Sequence, residues 1–326
     1  MNTLNDILVV VDPRMRRTSA FERSAELAKR AGARMHLRLF DYPLPTDALA
    51  DPAEKARERE AFVQERTDWL SQQSADLAKR GINVDYEFVP TSDLPRAVLA
   101  KVLQLRPDLV VKDIHDRPQA DWLAFTPEEE NLLSFCPVPF MLVRPGSRTV
   151  PRKILVAVDT AVSTEQAELF NETIVREALA IGQAAEAEVH LAQVFPHQAL
   201  TGDTLQMVRD NQVAIRDAAR DYFERFAQRF AFAPGHYHWI EGKPAEALAD
   251  LAWQLGASCL VIGNVYHSFL AKLYLELVGS KTERLVTRTS CDVIFVKAEH
   301  YEAELGRHVD LDAVCHEHGV TWRKAA

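Results

Sequence analysis

The sequence predicts an α/β chain of two tandem, doubly wound domains, each a five-stranded parallel sheet flanked by helices. Three observations carry this prediction: the length, an internal repeat of apolar runs, and helix-period segments between those runs. At 326 residues the chain has room for about two domains of roughly 150 residues each. Asp6-Ile-Leu-Val-Val-Val-Asp12 returns as Lys153-Ile-Leu-Val-Ala-Val-Asp159, and Arg34-Met-His-Leu-Arg-Leu-Phe40 returns as Glu188-Val-His-Leu-Ala-Gln-Val194. Asp108-Leu-Val-Val-Lys112 pairs with Cys259-Leu-Val-Ile-Gly263, and Cys136-Pro-Val-Pro-Phe-Met-Leu-Val143 with Cys291-Asp-Val-Ile-Phe-Val-Lys297. Matches in the same order mark a duplicated domain.

Each element follows from its pattern. Ile7 to Val11 is apolar without alternation, as expected of a strand covered on both sheet faces. Ser19 to Ala31, Pro52 to Arg80, Gln166 to Gly182 and Thr204 to Phe230 read as helices. In the last of these, Ile215, Ala218, Tyr222, Phe226 and Phe230 share one face. Leu94, Val98, Val102 and Leu105 repeat that spacing in the first half, and Leu248, Leu251, Ala252 and Leu255 in the second. Each half thus reads β-α-β-α-β-α-β-α-β, which right-handed crossovers wind into an open parallel sheet. Arg144 to Arg152, with Pro145, Gly146 and Pro151, is the boundary. The expected divisions are residues 1–147, residues 150–301 and a C-terminal tail, 302–326.

Composition narrows the function. Apolar residues at 47% and charged residues at 26% belong to an ordinary globular chain. A net charge of −9 argues against direct nucleic-acid binding, which needs clustered cations along the backbone. No run approaches the roughly 18 apolar residues of a membrane helix, and the N-terminus lacks the basic and apolar regions of a signal peptide. Four cysteines, none in a C-x-x-C pair, do not make a disulfide framework. The expectation is a cytoplasmic protein with reduced thiols and no membrane partner.

In such sheets ligands bind beyond the carboxyl ends of the strands, where strand order reverses. Asp12 and Asp159 end the first strand of each half, as acceptors for a ribose or amine or as turn formers. Gly279-Ser280 opens a helix expected to run to Arg288, and offers either free N–H groups for a phosphate or a plain cap. The corresponding stretch of the first half, Ile114 to Glu130, has no glycine, which argues against a phosphate-cradling backbone there. Asp113, His115 and Asp116 suit a cation or a merely polar loop. His308, Cys315, His316 and His318 offer metal-ligand types without the spacing of an established zinc module. Cys136 and Cys291 read as packing residues, and His236 and His238 as alternating positions on a strand surface. No phosphate-binding G-x-x-x-x-G-K-[ST], H-E-x-x-H or G-x-S-x-G motif occurs, so no catalytic residue is assigned and no metal is expected.

Taken together, the duplicated frame, Asp12 and Asp159, and the Gly263…Gly279-Ser280 loop resemble the universal stress proteins in tandem form. So do Asp108-Leu-Val-Val-Lys112, His115, Phe125-Thr-Pro127, Leu132-Leu133 and Cys136-Pro-Val-Pro139. The resemblance implies strand order 3-2-1-4-5 in each half, a pseudo-dimeric monomer or homodimer, and a role in stress tolerance that includes survival of DNA damage. Nucleotide-binding members carry Gly-x-x-Gly, nine residues, then Gly-Ser or Gly-Thr. Gly263 and Gly279-Ser280 fit that pattern, whereas Tyr266 replaces the second glycine and twelve residues separate it from Gly279. Asp159 and Val194 match the adenosine-contacting positions. The implied ligand is ATP or a related nucleotide in the second half, held by Asp159, Val194, Gly263, Gly279 and Ser280. Tyr266 and Phe269 could instead line a pocket for an apolar metabolite or lipid. A non-catalytic binding or regulatory protein is the principal expectation, and a slow ATP hydrolase the alternative.

Overall fold

The structure, a computed structural model, describes residues 3–42, 51–114, 126–147, 150–161, 164–195, 205–263, 289, 291–298, 301–307 and 309–320. These fall into two compact units, one drawn from residues 3–150 with 301–320, the other from 151–298.

In the first unit the strands are β1 (Asp6–Val11), β2 (Arg34–Asp41), β3 (Asn83–Pro90), β4 (Leu109–Asp113) and β5 (Phe140–Val143). The helices between them are α1 (Ser19–Ala31), α2 (Pro52–Lys79), α3 (Leu94–Leu105) and α4 (Pro127–Phe135). All pairings are parallel, in the order β3-β2-β1-β4-β5. Ile7 to Val11 are all buried, because α-helices cover both faces of the central strand. Local chemistry fixes the helix ends. Thr18 accepts the Phe21 N–H, and Gly32 closes α1 in the left-handed conformation with φ 69°, where a side chain would be strained. Thr126 and Glu129 form a reciprocal capping box at the start of α4, satisfying two otherwise unpaired N–H groups.

The second unit repeats the plan with β6 (Lys153–Val158), α5 (Glu165–Ala185), β7 (Glu188–Phe195), α6 (Leu205–Arg229), β8 (Tyr237–Glu241), α7 (Pro244–Leu255), β9 (Cys259–Gly263) and β10 (Asp292–Val296). Its order is β8-β7-β6-β9-β10, again parallel. The expected order therefore holds in both halves. Among the described residues no helix is long and apolar enough to cross a membrane.

The register corrects part of the internal alignment. Ile7 pairs with Leu109, and its counterpart Ile154 pairs with Cys259. Leu109 is thus the equivalent of Cys259, and Gly263 corresponds to Asp113 rather than Lys112. Likewise Val110 pairs with Phe140 while Leu260 pairs with Val293, so the last strands match two residues away from the alignment on Cys136 and Cys291. Uniformly apolar strands carry no alternation to fix register.

The C-terminal segment expected as a tail adds two short helices to the first unit, α8 (Tyr301–Leu305) and α9 (Leu311–Glu317). Tyr301, Leu305, Leu311, Val314, Cys315 and Val320 pack with Leu99, Ala100 and Leu103 of α3 in one apolar cluster. The Tyr301 hydroxyl donates to the Ser134 carbonyl, Arg106 pairs with Glu302, and Arg96 reaches Glu317 at 2.9 Å. A metal reading of this segment fails among the described residues. His316 lies in a helix and His318 caps it, so the two do not share a face as they would in an extended chain. Cys315 is buried, and burial pushes its thiol above the usual range. His308 lies outside the described residues.

On β2 and β3, His36 is 4% exposed and both ring nitrogens meet carboxylates, Nδ1 with Asp85 Oδ2 at 2.5 Å and Nε2 with Asp6 Oδ1 at 2.8 Å. Burial opposes its charge, but these two hydrogen bonds outweigh that and raise its pKa above 6.5. Burial likewise acts to raise Asp85, yet the His36 hydrogen bond and the Arg38 charge lower it to about 2. A raised histidine contributes stability that is complete below its unfolded pKa and disappears as pH climbs through the folded value. The lowered carboxylate contributes above its unfolded pKa of 3.8 and is lost as pH falls toward about 2. Urea midpoints of the first unit are therefore expected to fall as pH rises above about 6.5. His36→Gln should flatten that alkaline slope, and an unchanged slope would contradict the assignment.

Candidate functional site

In the first unit, strand order reverses between β1 and β4, and a cavity of about 650 Å3 lies beyond their carboxyl ends. The chain leaves β1 through Asp12, whose Oδ1 accepts the Arg14 N–H at 2.9 Å while its carbonyl accepts the Met15 N–H at 2.9 Å. This turn puts Met15 at φ 55°, a left-handed conformation costly for a side-chain-bearing residue. Arg16 holds Asp12 Oδ2 at 2.7–2.8 Å. Arg17 is tied back to Glu22 at 2.6 Å and lies over the Phe21 ring. Arg14 also lines the cavity and makes no ion pair with a described residue.

At the end of β4, Lys112 is 8% exposed, with Nζ donating to the Asp113 carbonyl at 3.2 Å and 4.0 Å from Glu129. Asp113 turns into the first turn of α1, accepting the Ala20 N–H at 2.9 Å and a hydrogen bond from Thr18. Burial raises its pKa, and the nearby Asp12 charge adds to that. The positive end of α1 is thereby occupied by the protein's own carboxylate, where a bound anion would otherwise sit. Phe40, Tyr42 and Thr91 supply an apolar wall, a phenol and a hydroxyl to the same cavity.

The second crevice is built differently. Asp159 follows β6, and Asn171 of α5 pins its backbone in both directions: Asp159 N–H donates to Asn171 Oδ1 at 3.1 Å, and Asn171 Nδ2 donates to the Asp159 carbonyl at 2.7 Å. The carboxylate accepts the Ala161 N–H at 3.1 Å and faces Gln193 Nε2 at 3.4 Å. Gln193 in turn accepts the Thr160 N–H at 2.7 Å. Gly263 is buried at the end of β9. A Cβ there would sit 2.6 Å from Phe170 Cε1 and 2.7 Å from Ile174 Cδ1, so glycine permits the close approach of α5.

The structure brings Asp159, Val194 and Gly263 to the carboxyl ends of neighbouring strands. Gly279, Ser280, Tyr266 and Phe269 lie outside the described residues, as do His115 and Asp116 of the cation reading. Sequence reasoning missed Lys112 and Arg14 as cavity residues and missed Asp113 as the internal cap of α1. The signal present was the basic run Arg14-Met-Arg-Arg17 directly after a strand-ending aspartate. His236 and His238 do not simply face solvent: both approach the buried His190.

Two copies of one doubly wound sheet, each with an aspartate at the first strand exit, define a duplicated α/β module. The universal stress protein family profile matches residues 3–144 and again 151–297, and the chain belongs to that family. It is 26% identical over 319 residues to universal stress protein E of Escherichia coli (strain K12), covering 96% of this chain and 98% of that protein. Among solved structures, a functionally unknown protein from Pseudomonas aeruginosa PAO1 superposes with a TM-score of 0.70 at 20% identity, over 94% of this chain and 96% of its own. A putative universal stress protein from Pseudomonas aeruginosa UCBPP-PA14 gives 0.69 at 20%, over 94% and 97%. These likenesses establish the tandem fold.

Proposed function

We propose that this chain is a non-catalytic, cytoplasmic stress-response regulator whose two crevices take unlike ligands, ATP or a related nucleotide in the second half and a small polar molecule in the first. One observation carries the reading. The register sets Asp113 and Gly263 at equivalent positions, so a carboxylate stands in the first crevice where the second has no side chain. A carboxylate there repels phosphate and already takes the Ala20 N–H at the start of α1. In the second half, Asp159 and Val194 would receive the adenosine and Gly263, Gly279 and Ser280 the phosphates. The first cavity, with Asp12, Tyr42, Thr91 and Lys112, offers partners for hydroxyl and amino groups. Support for DNA-damage resistance belongs to the same reading, by way of the family.

Isothermal titration of the purified chain with ATP tests it. The expected result is one nucleotide per chain, with affinity reduced about tenfold or more by Asp159→Ala, as for loss of a charged hydrogen bond, and unchanged by Asp12→Ala. Binding lost in Asp12→Ala and kept in Asp159→Ala would overturn the assignment of crevices. ATP is expected to be recovered unhydrolysed, and turnover abolished by Asp159→Ala would make the second half a hydrolase instead.

A further inference from the structure

Toward the amino ends of the second-half strands lies a cluster that the crevices do not use. We propose that Glu188, His190 and His236 form a binding site for one divalent transition-metal ion, with His238 orienting His190. Glu188 and His190 are the first and third residues of β7. The Leu191 N–H donates to the His236 carbonyl at 2.8 Å, which sets His236 opposite His190. Glu188 Oε1 lies 3.0 Å from His190 Nε2 and 2.9 Å from His236 Nε2, and the three ligand atoms all fall within 4.8 Å of one another. A tetrahedral ion with bonds of about 2.0–2.1 Å holds its ligand atoms roughly 3.3 Å apart, so little movement is needed. Two imidazoles and one carboxylate are the donor set of a borderline cation such as Zn2+.

A second observation points to a ligand. His190 is 4% exposed, and its Nε2 faces Glu188 Oε1 at 3.0 Å without the alignment of a good hydrogen bond. Its Nδ1 lies 3.0 Å from His238 Nε2. A proton on Nδ1, donated to His238, leaves Nε2 a bare lone pair directed at a carboxylate, which a cation between them satisfies. Metal-bound histidines are held by such outer partners. Lys153 Nζ sits 3.4 Å from Glu188 Oε2, the other carboxylate oxygen, and leaves Oε1 to the imidazoles.

The first half shows the same histidine without a vacancy for an ion. His36 occupies the position of His190, but carboxylates of Asp85 and Asp6 engage both its nitrogens. In the second half His236 replaces Asp85 and Lys153 replaces Asp6. Duplication therefore left a closed ion pair in one copy and an open donor set in the other.

The test is titration of the chelator-treated, full-length chain with Zn2+ by calorimetry and native mass spectrometry. One Zn2+ per chain is expected, with affinity lowered at least about 100-fold by the double variant Glu188→Gln, His236→Gln and about 10- to 100-fold by His238→Ala. Cys315→Ser should change nothing. Both replaced side chains are 40% exposed, so circular dichroism of the double variant should match that of the parent. The visible absorption of bound Co2+ should vanish with the double variant. No uptake by the parent chain, or equal uptake by the double variant, would overturn the site.

Discussion

Ending the chain at residue 299 is expected to destabilise the first half, leaving α3 with an exposed apolar face. Leu99 and Leu103 are 1% and 3% exposed with α8 and α9 in place, and Val314, Tyr301 and Leu305 are 0%, 6% and 4% exposed. Each aliphatic side chain buried in this way is worth about 1.5–3 kcal/mol, and a newly exposed apolar face promotes association. A single substitution isolates the effect. Val314→Asp puts a carboxylate into this apolar cluster, at a cost of about 3 kcal/mol or more. In a domain of this size that lowers the melting temperature by about 6 °C or more. Calorimetry of truncated and substituted chains reads both, and unchanged melting would show that the segment is a tail after all.

Gly263→Val is the second large effect. The first added carbon already falls inside the contact distance of Phe170 and Ile174. Phe170 is partly exposed and can swing outward, but Ile174 is fully buried, so α5 must shift or the strand end must open. Overpacking of this kind costs about 1–3 kcal/mol, and it falls at the crevice proposed for the nucleotide. Urea unfolding should show a lower midpoint, and ATP affinity should fall with it. Gly242→Ala provides a contrast, because its φ of 151° with no contact closer than 3.6 Å makes the strain one of backbone conformation, not of crowding. A Gly263→Val chain as stable as the parent would show that the close approach of α5 is not required.

The fold was legible because its strands are buried on both faces and its helices on one. Runs such as Ile7 to Val11 and Ile154 to Val156 announce themselves, and α1 begins and ends where Thr18 and Gly32 place it. Register was less legible. β1 aligns with β6, and β2 with β7, with no gap inside either strand, since Asp12, Asp159, His36 and His190 punctuate them. Leu109 to Val111 and Cys259 to Ile262 have no polar residue to anchor the comparison, and the alignment slipped by one. That slip hid the exchange of Asp113 for Gly263. Asp113 as the cap of α1 depends on a contact 93 residues away in sequence, which no local pattern records. Glu188-x-His190 and His236-x-His238 were visible as pairs, but only the pairing of β7 with β8 brings them together. The segment from 302 onward was expected as a tail: Leu311, Val314 and Cys315 do stand at helical spacing, but their partner on α3 was not readable.

Hydrogen–deuterium exchange with and without ATP tests most directly whether the two crevices differ in what they accept. Slower exchange is expected at the amides of residues 159–161 and 263, with those of residues 12, 14, 15 and 112–114 unchanged. Slowing at Arg14, Met15 and Asp113, with Asp159 to Ala161 unaffected, would contradict that expectation.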